Sequence, residues 1–311
     1  MKHLFIINPR AGKKNASARL MEQIEALRRR HGIQCEIVLT ARQGDAEHAA
    51  RRAADSGEAV RIYACGGDGT FNEVINGARG AEHLEVTVVP VGTGNDFMKN
   101  FGEDSARFLD LEQLWDAPGH DLDLIECNGR VAATIVCAGL DARVADDVHK
   151  YSKYPAVTGA GAYLASAGIN FFKQISNRMT ITCDGCTTIG DYTMVCVCNG
   201  RYYGGGVMPI ADARLDDGRL DALIVRRVSH GAFLRMAGHY MRGEAWRFPD
   251  VARRVQANHM RLQFREPMAV SLDGEISHVT EAVISLCPEK LHFFAPAGAS
   301  CNRTARKRMD K

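Results

Sequence analysis

Gly66-Gly67-Asp68-Gly69-Thr70 is the stretch of this chain with the clearest chemical meaning. Glycines without Cβ atoms let backbone N–H groups approach an anion closely, and a helix starting at this point adds unpaired donors and a partial positive charge. A carboxylate in such a loop is repelled by phosphate unless a divalent cation lies between them. Asp68 is therefore expected to face Mg²⁺, directly or through water. A glycine-rich connection with Asp68 as a helix cap is the simpler alternative. Gly92-Thr93-Gly94-Asn95-Asp96-Phe97 repeats the logic, with the Thr93 hydroxyl offered to a phosphate or ribose and Asp96 as a second carboxylate. Together the two loops read as one metal-phosphate site.

Transfer of a phosphoryl group to an alcohol also needs a carboxylate within reach of the attacking hydroxyl. Ser271-Leu272-Asp273-Gly274-Glu275 places Asp273 and Glu275 on a turn, and either can serve. Asp216-Asp217-Gly218-Arg219-Leu220-Asp221 gathers three carboxylates that form either a plain hairpin or a loop around a structural cation. The Asn199 to Gly206 loop carries Tyr202 and Tyr203, which suit the wall or lid of a partly apolar acceptor pocket, or simply a wide connection between strands. Cys183, Cys186, Cys196 and Cys198 invite a zinc reading. Asp184-Gly185 is a ready hairpin turn, however, and alternate cysteines in a strand pack as small hydrophobes.

The elements that must position these residues are legible in order. Leu4 to Ile7, Ile37 to Leu39, Ala59 to Ala64 and Val86 to Val91 are short buried-strand runs. Between them lie helical spacings: Leu20, Ile24 and Leu27, then Ala46, Ala49, Ala50 and Ala53 behind an Asp45 cap, then Phe71, Val74, Ile75 and Ala78. This alternation predicts a doubly wound parallel α/β sheet with ligands at the carboxyl ends of its strands, which carry Asn8-Pro9, Thr40, Gly66 to Thr70 and Gly92 to Phe97. Near residue 123 the pattern becomes antiparallel. Asp121 to Cys127 and Arg130 to Val136 flank an Asn128-Gly129 hairpin, and strands continue to Leu286, interrupted by helices at Gly159 to Gln174 and Gly231 to Met241. Two domains are expected: residues 1–123, with 289–311 returning through a strand at Leu291 to Ala295, and residues 124–288.

Hydrophobic content of 46% and charged content of 24% fit an ordinary globular protein, and a net charge of +2 argues against nucleic acid as a partner. Only the end is basic, with Arg303, Arg306, Lys307, Arg308 and Lys311 against Asp310, a run able to add weak attraction to an anionic membrane face. The ten cysteines follow no secretory leader, so reduced thiols in a cytosol are expected. No stretch is long and apolar enough to span a bilayer, which leaves peripheral contact with the inner membrane face.

With these residues in hand, the chain resembles the diacylglycerol kinase catalytic-domain family of bacterial lipid kinases, relatives of sphingosine kinases. The likeness is carried by Asn8-Pro9 with Gly12, Gly66 to Thr70 with Asn72-Glu73 and Asn76-Gly77, and Pro90 with Gly92 to Phe97. Asn199-Gly200 with Gly204 to Gly206, Asp217-Gly218 and Asp273-Gly274-Glu275 complete it. The resemblance implies an N-terminal nucleotide domain, a C-terminal β-sandwich, and ATP with Mg²⁺ between them. It implies nucleotide contacts from Asn8, Pro9, Thr40, Gly67, Asp68, Gly69, Thr70, Phe71, Asn72, Glu73 and Thr93. Asp68, Asp96 and Asp123 would organise Mg²⁺ through water, and the acceptor-activating carboxylate would fall on the Asp273 to Glu275 turn. A second, structural divalent cation would be held by the Arg214 and Arg219 carbonyls and the Asp217 side chain. Arginines at both backbone positions depart from what a cation favours. The implied reaction is transfer of the ATP γ-phosphoryl group to a membrane lipid, diacylglycerol first, by a monomer or homodimer. A kinase for a soluble acceptor such as NAD and a non-catalytic lipid or nucleotide sensor are the rival readings.

Overall fold

The protein is described by a computed structural model covering residues 1–12, 16–151 and 175–301. The helix expected at Gly159 to Gln174 and the basic run Arg303 to Lys311 lie outside the described residues. The chain forms two compact units: Met1–Leu124 together with the segment from Pro288 onward, and Ile125–Cys287.

Unit 1 opens with β1 (Lys2–Ile7), α1 (Ala16–His31), β2 (Cys35–Leu39), α2 (Asp45–Ser56) and β3 (Val60–Gly66). α3 (Asp68–Ala78), β4 (Leu84–Pro90), the single turn α4 (Asp96–Lys99) and β5 (Gly119–Leu122) follow. α1 buries Leu20, Ile24 and Leu27 at helical spacing, and Gly32 stops it at φ +64°. α2 buries only alanines, at 46, 49, 50 and 53, so α3 can press against it. The closest approach is at Gly77, where a Cβ would lie 2.4 Å from the Glu47 carbonyl oxygen.

Unit 2 is antiparallel. Its strands are β6 (Ile125–Cys127), β7 (Arg130–Ala132), β8 (Ile135–Gly139), β9 (Asn177–Cys183), β10 (Cys186–Cys198), β11 (Asp221–Arg226), β12 (Ala252–Gln256), β13 (His259–Leu272) and β14 (Glu275–Leu286). α5 (Leu140–Tyr151) follows β8, and α6 (His230–Tyr240) follows β11. Asn128-Gly129 and Asp184-Gly185 take positive φ at both positions, the geometry of primed hairpin turns. β10 pairs with β9 up to Tyr192 and with β8 from Met194, across a bulge. β13 likewise pairs with β9 through Met260 to Phe264 and with β8 through Val270 to Leu272. The two long strands thus bend from one layer to the other, enclosing Val136, Ile181, Val195, Leu262, Val270 and Ile284. A second apolar layer on the outer face joins Met194, Cys196 and Val225 to Met236 and Tyr240 of α6.

β15 (Leu291–Phe294) returns to the first sheet, whose order is β2-β1-β3-β4-β15-β5. β15 runs parallel to β4 and antiparallel to β5. Two expectations need correction. The Asp121 to Cys127 run is not one strand: Asp121 and Leu122 end β5 in the first sheet, while Ile125 begins β6 in the second. Asp45 is the first residue of α2 and not its cap, since its Oδ2 accepts from the N–H groups of Ala41 and Arg42 in the preceding turn.

Candidate active site

Gly66 ends β3 and Gly67 precedes α3 in extended conformation, so the first-turn N–H groups of α3 point out of the sheet's carboxyl edge. The second loop packs onto the first, backbone against backbone. Gly92 N–H donates to the Gly66 carbonyl at 3.0 Å. A Cβ on Gly92 would lie 2.5 Å from the Gly67 Cα, and one on Gly66 would lie 2.2 Å from Thr70 Oγ1. Asp68 ties the loops together, its Oδ1 accepting from Phe97 N–H at 3.2 Å. Its Oδ2 faces Gly94, where an added Cβ would come within 3.0 Å. Asn95 closes the second loop by donating its Nδ2 to the carbonyls of Pro90 and Gly92, while its buried Oδ1 has no hydrogen-bond partner among the described residues.

Neighbouring strand ends complete this edge. Asn8 Nδ2 donates to Thr70 Oγ1 at 3.4 Å, and Thr40 N–H donates to the Ile7 carbonyl. A hollow of about 930 Å³ opens beside them, lined in part by Gly12, Gln23, Pro90, Gly92, Thr93 and Leu109. Its volume suits a small-molecule ligand. Phe71 turns inward and packs on Phe97 with ring centroids 4.4 Å apart, so it can offer a ligand only its backbone. Asn72 is buried too, accepting from Asn76 Nδ2 at its carbonyl and amide oxygens. Both oxygens of Glu73 accept backbone N–H groups at the start of α2, from Gly44 at 2.8 Å and Ala46 at 3.1 Å. The sequence reading missed this capping role because the two partners lie almost thirty residues away.

The three carboxylates grouped by resemblance are not gathered together. Asp96, beside Asp68 on the second loop, bonds Lys99 Nζ one turn on. Asp123 is buried and bonds Lys290 Nζ, just before β15. Because β5 runs antiparallel to β15, Asp123 falls at the amino ends of the parallel strands, the opposite edge of the sheet from Asp68 and Asp96.

In unit 2, Asp273 sits at φ +51° between β13 and β14. Its carboxylate accepts from the N–H groups of Ala133 at 2.6 Å, Thr134 at 3.1 Å and Ile135 at 2.9 Å, and from the Thr134 hydroxyl. Burial raises its carboxyl above the usual range, while these donors pull the other way. Glu275, two residues on, starts β14 half-buried.

The acidic run from Asp216 to Asp221 is dispersed. Asp216 takes the Arg214 guanidinium, Asp217 Oδ1 accepts the Arg219 N–H at 3.1 Å, and buried Asp221 pairs with Arg254. The four cysteines weighed for zinc are dispersed as well. Cys183 and Cys186 face each other across a hairpin, ten residues of strand from Cys196. Cys196 instead meets Cys137 and Asp141, the ligand atoms lying within 4.8 Å of one another. Tyr203 and Tyr240 donate to the same Asp141 oxygen, which anchors the Tyr203 hydroxyl inside unit 2.

Residues 2–127 match the "Diacylglycerol kinase catalytic domain" family, and residues 134–295 match the "YegS C-terminal NAD kinase beta sandwich-like domain" family. The chain is similar to a protein of Bacillus subtilis (strain 168) named diacylglycerol kinase, 29% identical over 87% of this chain and 88% of the relative. Two solved structures from Bacillus anthracis str. Sterne share the fold. One, described as a candidate diacylglycerol kinase, has a TM-score of 0.74 at 24% identity over 96% of this chain and 97% of its own. The other, described as a diacylglycerol kinase, has a TM-score of 0.66 at 20% identity over 96% and 98%. With both halves matched in order, the chain belongs to the diacylglycerol kinase-like lipid kinase family, an N-terminal catalytic α/β domain joined to a YegS-type β-sandwich.

Proposed function

We propose that the protein is an ATP-dependent lipid kinase that moves the γ-phosphoryl group of ATP to the hydroxyl of a membrane lipid, with diacylglycerol the leading acceptor. The observation that carries this reading is the interlocked pair of glycine loops with Asp68 between them. Two features of this edge support a triphosphate: the glycines let the two loops lie backbone against backbone, and α3 presents its first-turn N–H donors there. Asp68 and Asp96 are the hard oxygen donors that would hold Mg²⁺, which when bound neutralises phosphate charge. Asp123 has no place in that set, because the fold sends it to the opposite edge of the sheet.

During transfer the acceptor oxygen bonds the γ-phosphorus as the β–γ bridging P–O bond breaks, and ADP leaves. The acceptor's proton must pass to a carboxylate. Asp273 accepts four donors and fixes the turn, which makes it the positioning residue, and this reading gives the proton-accepting role to Glu275, half-buried at the start of β14. A structural divalent cation at Asp217, with the Arg214 and Arg219 carbonyls, belongs to the same proposal. The Arg214 guanidinium is drawn to Asp216, so its charge need not oppose a cation at the carbonyl.

The test is transfer of radiolabelled phosphate from ATP to lipid extracts by the parent chain, Asp68→Asn and Glu275→Gln. Phosphate should appear on a lipid with the parent and fall steeply with both variants. Undiminished turnover in both would remove the assignment, and labelling of NAD with no lipid product would favour a soluble acceptor.

A further inference from the structure

One corner of unit 2, made of α6, the turn after it and the start of β12, combines two independent surface features. The first is apolar. Leu234, Met241 and Trp246 lie within thirteen residues and are 63%, 52% and 69% exposed. Leu234 and Met241 are seven apart and share one side of the helix, away from buried Met236 and Tyr240. Packing inside the unit therefore does not explain them. The second is charge. From Arg226 to Arg254 the chain has seven arginines and two acids, in a protein whose net charge is +2. Arg235 and Arg242, again seven apart, flank the Leu234–Met241 stripe, and the Arg247 guanidinium lies 5.3 Å from the centre of the Trp246 ring. Glu244 is shared by His239, Arg242 and Arg247, Arg254 is taken by Asp212 and Asp221, and Arg227 faces Asp191. These pairings reduce the positive charge of the corner without reversing it.

We propose that this corner is the face with which the protein lies on an anionic lipid bilayer. Exposed Trp, Leu and Met side chains suit the headgroup and acyl boundary, while arginines beside them suit lipid phosphates. A nucleic-acid backbone would use the arginines and leave the apolar stripe in water, so the combination favours a membrane. No helix among the described residues is long and apolar enough to cross one, which makes the contact peripheral. The inference rests on the reading that the acceptor is a membrane lipid, and it gives the protein a means of reaching that acceptor.

The experiment is co-sedimentation of the full chain, without ATP, on phosphatidylglycerol-containing vesicles and on phosphatidylcholine vesicles. The parent should bind the anionic vesicles and lose binding as salt rises. Leu234→Gln with Trp246→Ala should weaken binding about tenfold or more, and Arg235→Gln with Arg242→Gln by roughly tenfold, on the anionic vesicles only. All four positions are on the surface, so melting temperature should hold, and turnover on a short-chain acceptor in detergent should match the parent. Equal vesicle binding by parent and variants overturns the proposal, as does absence of binding by the parent or preferential binding of a DNA duplex. Because the vesicle assay needs neither ATP nor turnover, failure of the kinase reading and failure of this surface are read separately.

Discussion

Asp68→Asn keeps the shape of the side chain and its bond to Phe97 N–H while removing the charge. Lipid phosphorylation should fall about 100-fold or more with an unchanged circular dichroism spectrum. Glu275→Gln and Asp273→Asn should separate proton transfer from positioning. The first should lower turnover by about 100-fold at constant melting temperature. The second should also cost about 2 kcal/mol in denaturant unfolding, because four donors lose a charged acceptor. His3 offers a test independent of catalysis. Buried against the Tyr63 hydroxyl at 2.9 Å, it is held down to about 4, with burial the main cause. Its folded value lies below its unfolded value of 6.5, so the neutral form is the one that folding favours. Its stabilisation is complete above pH 6.5 and is lost as pH falls toward 4, amounting to about 3 kcal/mol. Unfolding midpoints measured across that window should drop more steeply for the parent than for His3→Gln.

At the level of elements, the glycine loops depend on how α2 and α3 meet. Gly77 and the alanines of α2 allow the contact, Arg51 donates to the Asn76 carbonyl at 2.8 Å, and Glu73 caps α2 from inside α3. The family motif residues Glu73 and Gly77 are thus explained by packing as much as by a ligand. Gly77→Ala drives a methyl into the Glu47 carbonyl and should cost about 1–3 kcal/mol, with a weaker affinity for ATP as α3 shifts. Equal nucleotide affinity in that variant would show that the loops hold their shape without this helix pair. In unit 2 the corresponding element is the turn at Asp217. Chelation of divalent cations should lower the melting temperature of the parent and leave Asp217→Asn unmoved. If both shift alike, the cation is held elsewhere.

For the whole molecule, the decisive feature is the return of β15 to a sheet begun almost three hundred residues earlier. β15 separates β4 from β5 and covers Phe71 and Phe97 with Phe293. A chain ending at Cys287 should therefore lose the cooperative melt of unit 1. The parallel α/β order and the primed hairpin turns were legible in the residues, because the first follows local apolar spacing and the second glycine at positive φ; the glycine loops were legible because these residues lack a Cβ. What the residues in order could not show is set by partners far apart in the chain. Asp123 is grouped with Asp68 and Asp96 by resemblance, yet the antiparallel pairing of β5 with β15 carries it to the other edge of the sheet. Asp273 and Glu275 are alternatives in the sequence, and only the fold shows that the loop at 133–135 donates to Asp273. Cys196 was weighed with its neighbours in sequence, but strand register gave it Cys137 instead. Type and spacing announce which atoms can do chemistry; hydrogen-bond pairing across the fold decides which of them are already engaged.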